Sequence, residues 1–150
     1  MFVCTANRCR SVMADWGFRD LLERRELPQF DVSSAGVVAV PEVPPTGETV
    51  LVLSEHGINA LAHRAAALDR DLIESADIVL GMTRAHVDAI VDLVPTADRK
   101  TFLLTDLCPD EDLDEIDDPF GGSLDDYRRC FDDIRSCFEG VLEKLQGGTV

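Results

Sequence analysis

The sequence predicts a single α/β domain with a parallel sheet, and three observations carry that prediction. Apolar β-type runs alternate with segments of helical spacing, the pattern of parallel strands joined by right-handed helical crossovers. One run, "ADIVLGM" at 76–82, is almost uninterrupted, as in a strand buried on both faces. The chain has 150 residues, enough for one sizeable core, and nothing in it argues for two domains, so 1–150 is read as one unit.

The elements follow in order. "MFV" is a very short first strand; only three residues precede Cys4, which suggests that further chain lies upstream of Met1. Met13, Trp16, Phe18, Leu21 and Leu22 fall near helical spacing and predict a helix from Met13 to Arg25. "FDVSSAG" at 30–36 is a second strand stopped by Gly36, and "VVAVPEVPP" is a loop whose prolines forbid a central strand. "TGETVLVLSEHGI" predicts a helix with Thr46 as N-cap and Gly57 as its stop. After the buried strand at 76–82 comes a helix in "RAHVDAIVDLV", then a fourth strand in "KTFLL". The stretch "TDLCPDEDLDEIDDPFGG" is crowded with acids, Pro and Gly, and a loop that long is either disordered or functional. From Ser123, an N-cap, to Leu145, apolar residues recur by threes and fours along one long core-facing helix. Cys130 and Cys137 lie beside that stripe as small buried hydrophobes.

Charge and cysteines narrow the function classes. Fourteen Lys and Arg stand against 29 Asp and Glu, a net charge of −15, which disfavours nucleic acid and anionic membrane as partners. No apolar run approaches the length of a spanning helix, and the first twenty residues do not read as a leader, so a cytoplasmic protein is expected. Five cysteines fit neither a zinc pattern nor a disulfide framework, so reduced thiols are expected and no metal or cofactor is implied.

Against that acidic background, "FVCTANRCRSVMAD" places Cys4, Arg8, Cys9, Arg10 and Ser11 together where a strand gives way to a helix. Such a loop points backbone N–H groups inward and carries the positive end of the helix dipole, which makes a phosphate-binding loop. The helix end and Arg10 both favour thiolate over thiol at Cys4, and Arg10 offers a planar fork for two phosphate oxygens. Ser11 can donate a hydrogen bond to the sulfur, and Asn7 tolerates the left-handed backbone that a tight cradle needs. The bland alternatives are a buried structural thiol for Cys4 and a surface cation for Arg10. In parallel sheets ligands sit beyond the carboxyl ends of the strands, so this loop and the acid loop after the fourth strand can meet.

"VCTANRCRSVMAD" resembles the signature of the low-molecular-weight protein tyrosine phosphatases, and "DDPFGG" resembles their Asp-Pro-aromatic acid loop. Weaker echoes, "SSAGV", "GINALAH" and "ESADIVLGMTRAH", extend the resemblance over nearly the whole chain. It implies a four-stranded parallel sheet flanked by helices on both faces, and metal-free hydrolysis of a phosphate monoester. Cys4 would attack phosphorus and form a phosphocysteine. Thr5, Ala6, Asn7, Arg8, Cys9 and Arg10 would hold the phosphoryl oxygens, and Asp118 would protonate the leaving oxygen and later activate water. Asn7, Ser11, Ser34 and His63 would form the network that shapes the cradle, and Cys9 would capture an oxidised Cys4 as a disulfide. Phe120 is read either as an aromatic wall for the leaving group or as a hydrophobic plug anchoring its loop. Asp117 is read first as a solvated acid and second as a like charge acting on Asp118.

The departures from the family pattern matter as much. Ala6 stands where Gly is usual, Val12 where Pro is usual, and Arg8 where tyrosine phosphatases carry an apolar residue. Arg8 either grips a second anion on the substrate or narrows the pocket. The expected substrate is a phosphorylated protein, phosphotyrosine first, or a small phosphomonoester, with the chain a monomer or weak dimer. Phosphoarginine is the alternative, since "DPFGGS" and "ESADIVLGMT" resemble the branch that includes protein-arginine phosphatases. Less favoured are a thiol-dependent arsenate reductase, for which paired cysteines after the third strand are missing, and a non-catalytic phosphate-binding module.

Overall fold

The structure, a computed structural model, describes residues 1–147. Four short parallel strands, β1 (Phe2–Cys4), β2 (Ser34–Gly36), β3 (Val79–Gly81) and β4 (Thr101–Leu103), form one sheet in the order β2, β1, β3, β4. Among the described residues six α-helices surround it: α1 (Arg10–Arg24), α2 (Gly47–Glu55), α3 (Arg70–Ser75), α4 (Arg84–Leu93), α5 (Leu124–Ser136) and α6 (Phe138–Gln146). Alternate side chains of β1 and β3 divide between the two faces, as a pleated strand requires. Phe2, Cys4 and Leu80 pack with Phe18, Leu53 and Phe131, whereas Val3 and Val79 pack with Ile73 of α3, Ile90 of α4 and Val94. Helices therefore cover both faces, and the α/β architecture expected from the sequence stands.

The sheet order also locates the site. After β1 the chain crosses to β2 on one side, and after β2 it crosses back over β1 to β3 on the other, so the topology switches direction beside β1. Loops leaving the carboxyl ends of β1 and β3 diverge there and open a crevice, the usual ligand position in such sheets. The loop after β1 runs from Thr5 to Cys9, and the turn after β3 contains Met82 and Thr83.

Several boundaries differ from the sequence reading. α1 begins at Arg10, three residues before the expected start, which puts Arg10 and Ser11 in its first turn. β2 forms only from Ser34, because pairing with β1 begins at Phe2 opposite Ser34. The short helix α3, capped by the Asp69 carboxylate on the Leu72 N–H (2.8 Å), was not expected. The long final helix is two helices broken at Cys137, whose N–H donates to Ile134 O three residues back. The break lets α6 lie against the 104–107 turn, where Gly140 meets the Leu107 carbonyl with no room for a Cβ. Thr46 caps α2 as expected, and Gly57, at φ +76°, ends it. Cys130 and Cys137 are buried in the core, and burial raises the pKa of both thiols.

Candidate active site

The loop between β1 and α1 is shaped by a chain of hydrogen bonds whose directions can be worked out. The indole N–H of Trp16 only donates, so His63 Nδ1 accepts it (3.2 Å), and the ring proton sits on Nε2, which donates to Asn7 O (3.1 Å). Burial lowers the His63 pKa, the Asn7 carbonyl partly opposing this, which favours the neutral ring that this bonding needs. Asn7 is fully buried at φ 55°, the left-handed conformation that asparagine tolerates. Its carbonyl oxygen Oδ1 accepts from Ala66 N (3.0 Å), and its amide Nδ2 donates to Ser11 Oγ (2.8 Å). With that lone pair filled, the Ser11 hydroxyl is free to donate to Cys4 Sγ at 2.9 Å.

Asn7, and not Ala6, takes the left-handed position. Ala6, which stands where Gly is usual, therefore needs no positive φ, and its Cβ brings no backbone strain there. Ser34 does not join this network: its hydroxyl donates to buried Asp15 (2.7 Å) and ties β2 to α1.

What the loop offers is positive. The N–H groups of Ala6, Asn7, Arg8 and Cys9 donate to no protein acceptor among the described residues. The first turn of α1 carries no acidic residue, and its N-cap, Cys9, makes no side-chain cap. Unsatisfied N–H groups and an uncompensated helix dipole together favour an anion here.

Arg10 links this loop to the acid loop. It is 5% exposed; Nη1 donates to Ile116 O (3.1 Å), and Nη2 reaches Thr5 Oγ1 (3.4 Å) and the Asp118 carboxylate (3.5 Å). The acid loop is itself ordered, with Ile116 N bonded to Met82 O (3.0 Å), Thr105 Oγ1 to Asp114 O (2.5 Å), and the Glu115 carboxylate accepting from Arg84 N at the start of α4. Asp118 Oδ1 accepts from the Phe120 N–H (3.1 Å), which fixes the carboxylate's direction. Asp117 is exposed and raises the pKa of Asp133 by repulsion, though burial of Asp133 is the larger cause; this agrees with the solvated-acid reading.

Cys4, Thr5, Ala6, Arg8, Cys9, Arg10, Asp118 and Phe120 line one pocket of about 200 Å³. Phe120 is 66% exposed, so it forms a pocket wall and does not plug its loop. Cys9 Sγ packs against Tyr127 Oη (3.4 Å) and Thr46 Oγ1 (3.6 Å). Among the described residues no cluster of His, Cys, Asp or Glu is arranged to hold a metal.

One contributor escaped the sequence reading. His86, in the first turn of α4, accepts the Thr83 N–H at Nδ1 (3.1 Å), so its proton is on Nε2 and donates to Thr5 Oγ1 (2.9 Å). Burial and the neighbouring Arg10 charge push its pKa down to about 4, so the ring is neutral at ordinary pH. Thr5 Oγ1 thus accepts from both His86 and Arg10, and its own proton remains available to the pocket. The capping sequence Thr83-x-x-His86 was the available signal.

Fold and site together define a thiol-based phosphatase of the α/β class. The profile of the low molecular weight phosphotyrosine protein phosphatase family matches residues 1–149. A protein-arginine-phosphatase of Geobacillus stearothermophilus is 42% identical over 97% of this chain and 95% of its own. A probable low-molecular-weight protein-tyrosine-phosphatase, EpsP of Ralstonia solanacearum, is 36% identical over 80% and 77%. A solved YwlE arginine phosphatase mutant with a phosphorylated active-site serine superposes with a TM-score of 0.89 at 36% identity, covering 97% of this chain and 93% of that one. The chain belongs to the low-molecular-weight protein tyrosine phosphatase family, and it is a cysteine-dependent phosphoric monoester hydrolase of phosphorylated proteins.

Proposed function

We propose that this chain removes the phosphoryl group from phosphotyrosine in proteins, with Cys4 as nucleophile, Arg10 as phosphate clamp and Asp118 as general acid. The observation that carries the assignment is Arg10, whose guanidinium joins the Cys4 loop to Asp118 across 3.5 Å inside one pocket. In the first step the Cys4 sulfur forms a bond to phosphorus as the tyrosine oxygen leaves and takes the proton of Asp118. Loop amides, the Arg10 fork and the Thr5 hydroxyl hold the equatorial oxygens, while the Ser11 hydroxyl steadies the sulfur as it becomes a leaving group. A phosphoryl group on Arg10 displaces Asp118 from its ion pair, leaving the carboxyl beside the leaving oxygen. In the second step Asp118 takes a proton from water, which attacks phosphorus and releases phosphate and the thiolate. Ala6, Cys9 and Phe120 complete the pocket wall, and Asn7, buried behind it, holds the loop in shape and offers its backbone N–H.

The exposed ring of Phe120 suits an aromatic leaving group. Phosphoarginine is a second reading, supported by the 42% identity to the Geobacillus protein-arginine-phosphatase. The acidic surface and five free thiols support a cytoplasmic protein without nucleic-acid or membrane partners, acting as a monomer or weak dimer.

The test is phosphate release from matched phosphotyrosine and phosphoarginine peptides without added metal. We expect phosphotyrosine turnover that disappears in Cys4→Ser and falls by about 10²-fold or more in kcat in Asp118→Asn. Turnover surviving in Cys4→Ser would overturn the nucleophile, and turnover confined to phosphoarginine would select the second reading.

A further inference from the structure

Arg8 is a cation without an acid. Nine of the eleven other arginines, including Arg10 in the same pocket, hold a carboxylate within 4 Å. Of the three that hold none among the described residues, Arg8, Arg64 and Arg99, it is Arg8 that lines the Cys4 pocket. Arg8 has no such partner among the described residues, in a chain where acids outnumber bases by 29 to 14. It is nonetheless held firmly. Its carbonyl accepts from Thr46 N (3.2 Å) and from the Thr49 hydroxyl (3.1 Å), and its Nε donates to Pro44 O (2.9 Å). Bonding through Nε alone leaves both terminal Nη groups without a protein acceptor among the described residues, on a side chain whose residue lines the same pocket as Cys4 and Arg10. That is the fork with which arginine takes a carboxylate or phosphate through two parallel hydrogen bonds.

A single phosphoryl group does not explain this arrangement, because Arg10, the loop amides and the α1 terminus already meet its charge. A second cation in the same pocket repels Arg10, and the carboxylate that lines this pocket, Asp118, is already paired with Arg10, so Arg8 gains from further negative charge. An acidic side chain from the protein's own surface would have quenched it, yet the segment that anchors Arg8, residues 44–49, directs a carbonyl at it instead.

We propose that Arg8 is a specificity residue that binds a second anionic group beside the phosphoryl group, the carboxylate of an acidic residue flanking the phosphorylated residue of a peptide. The inference rests on the phosphatase reading above and adds the substrate class. It runs against the field of the whole protein, whose net charge of −15 repels an additional acid. A preference for acidic flanks therefore has to come from a local group. A phosphoarginine peptide, whose guanidinium is cationic, meets repulsion from Arg8 at the same wall.

The experiment is calorimetric binding of two phosphotyrosine peptides, identical except for Glu or Gln at the flanking positions, to Cys4→Ser at low and high salt. The expected result is binding about fivefold tighter for the Glu peptide at low salt, between the values of an exposed pair and a charge-assisted hydrogen bond. That gap closes at high salt, vanishes in Cys4→Ser/Arg8→Gln and persists in part in Cys4→Ser/Arg8→Lys. Equal affinities for the two peptides, or a gap that survives Arg8→Gln, would overturn the inference. Hydrolysis of p-nitrophenyl phosphate by the unmodified chain separates the two claims. Turnover with no Glu preference defeats the Arg8 role alone, a Glu preference without turnover defeats the catalytic reading alone, and failure to bind either peptide defeats both.

Discussion

Two hydrogen bonds fix the tautomer of His86, and that tautomer sets what Thr5 can donate. His86→Leu removes the Nε2–H donor and leaves the Thr83 N–H unsatisfied; His86→Gln can serve both. We expect phosphate affinity to fall about fivefold in His86→Leu and to recover largely in His86→Gln, measured by phosphate inhibition. The same residue makes stability depend on pH. Its pKa is about 4 in the fold against an ordinary 6.5, so the unfolded chain binds the extra proton first. The stability it contributes is present above pH 6.5 and is lost as pH falls from there toward 4. Denaturation midpoints followed across that window should show a loss smaller by on the order of 2 to 3 kcal/mol in His86→Gln than in the parent chain. An identical pH slope in the two proteins would contradict this account. Cys4, Asn7, Arg10, Ser11 and Asp118 were legible in the sequence because motif chemistry marks them. His86 was not, since its function depends on strand order, which brings the turn after β3 beside the loop after β1.

At the scale of elements, β2 and the loop share a boundary at Gly36. A Cβ there would lie 2.6 Å from Thr5 O and 2.8 Å from Asn7 N, so the strand end closes against the loop only because the residue is glycine. Gly36→Ala must push the loop away from β2, and we expect a stability loss of about 1 to 3 kcal/mol together with at least tenfold weaker phosphate binding. Unchanged melting and binding would show that the loop moves freely, contrary to the network holding Asn7. Much of the element order was readable, since α2, α4 and the buried β3 carry caps and periodicity. The missed pieces have physical reasons. α3 spans Arg70–Ser75, too short to show a periodic apolar face, so Asp69 as N-cap was its main signal. The break at Cys137 leaves the apolar stripe in phase, and what causes it is tertiary: Gly140 meeting Leu107 and Phe138 packing on Phe18 at 5.3 Å. Periodicity records which face is buried, not whether the axis bends.

For the whole molecule, the charge distribution sets how a substrate arrives. The net charge is −15, while the pocket itself holds two guanidinium groups and a helix N-terminus. A phosphopeptide approaching from beyond a Debye length feels the overall repulsion, and one already at the pocket feels the local cations. Salt screens the first interaction more than the second, because the Arg10 side chain is almost wholly buried. For a peptide with neutral flanks, kcat/KM should therefore rise on the order of twofold as salt increases from a low starting value. The advantage of an acidic flank at Arg8, which is half-buried, should shrink over the same range. Steady-state rates for both peptides across a salt series check the pair of trends together. A neutral-flank rate that stays flat or falls with salt would mean that the basic wall of the pocket governs approach, and that the surface acids matter to solubility but not to encounter.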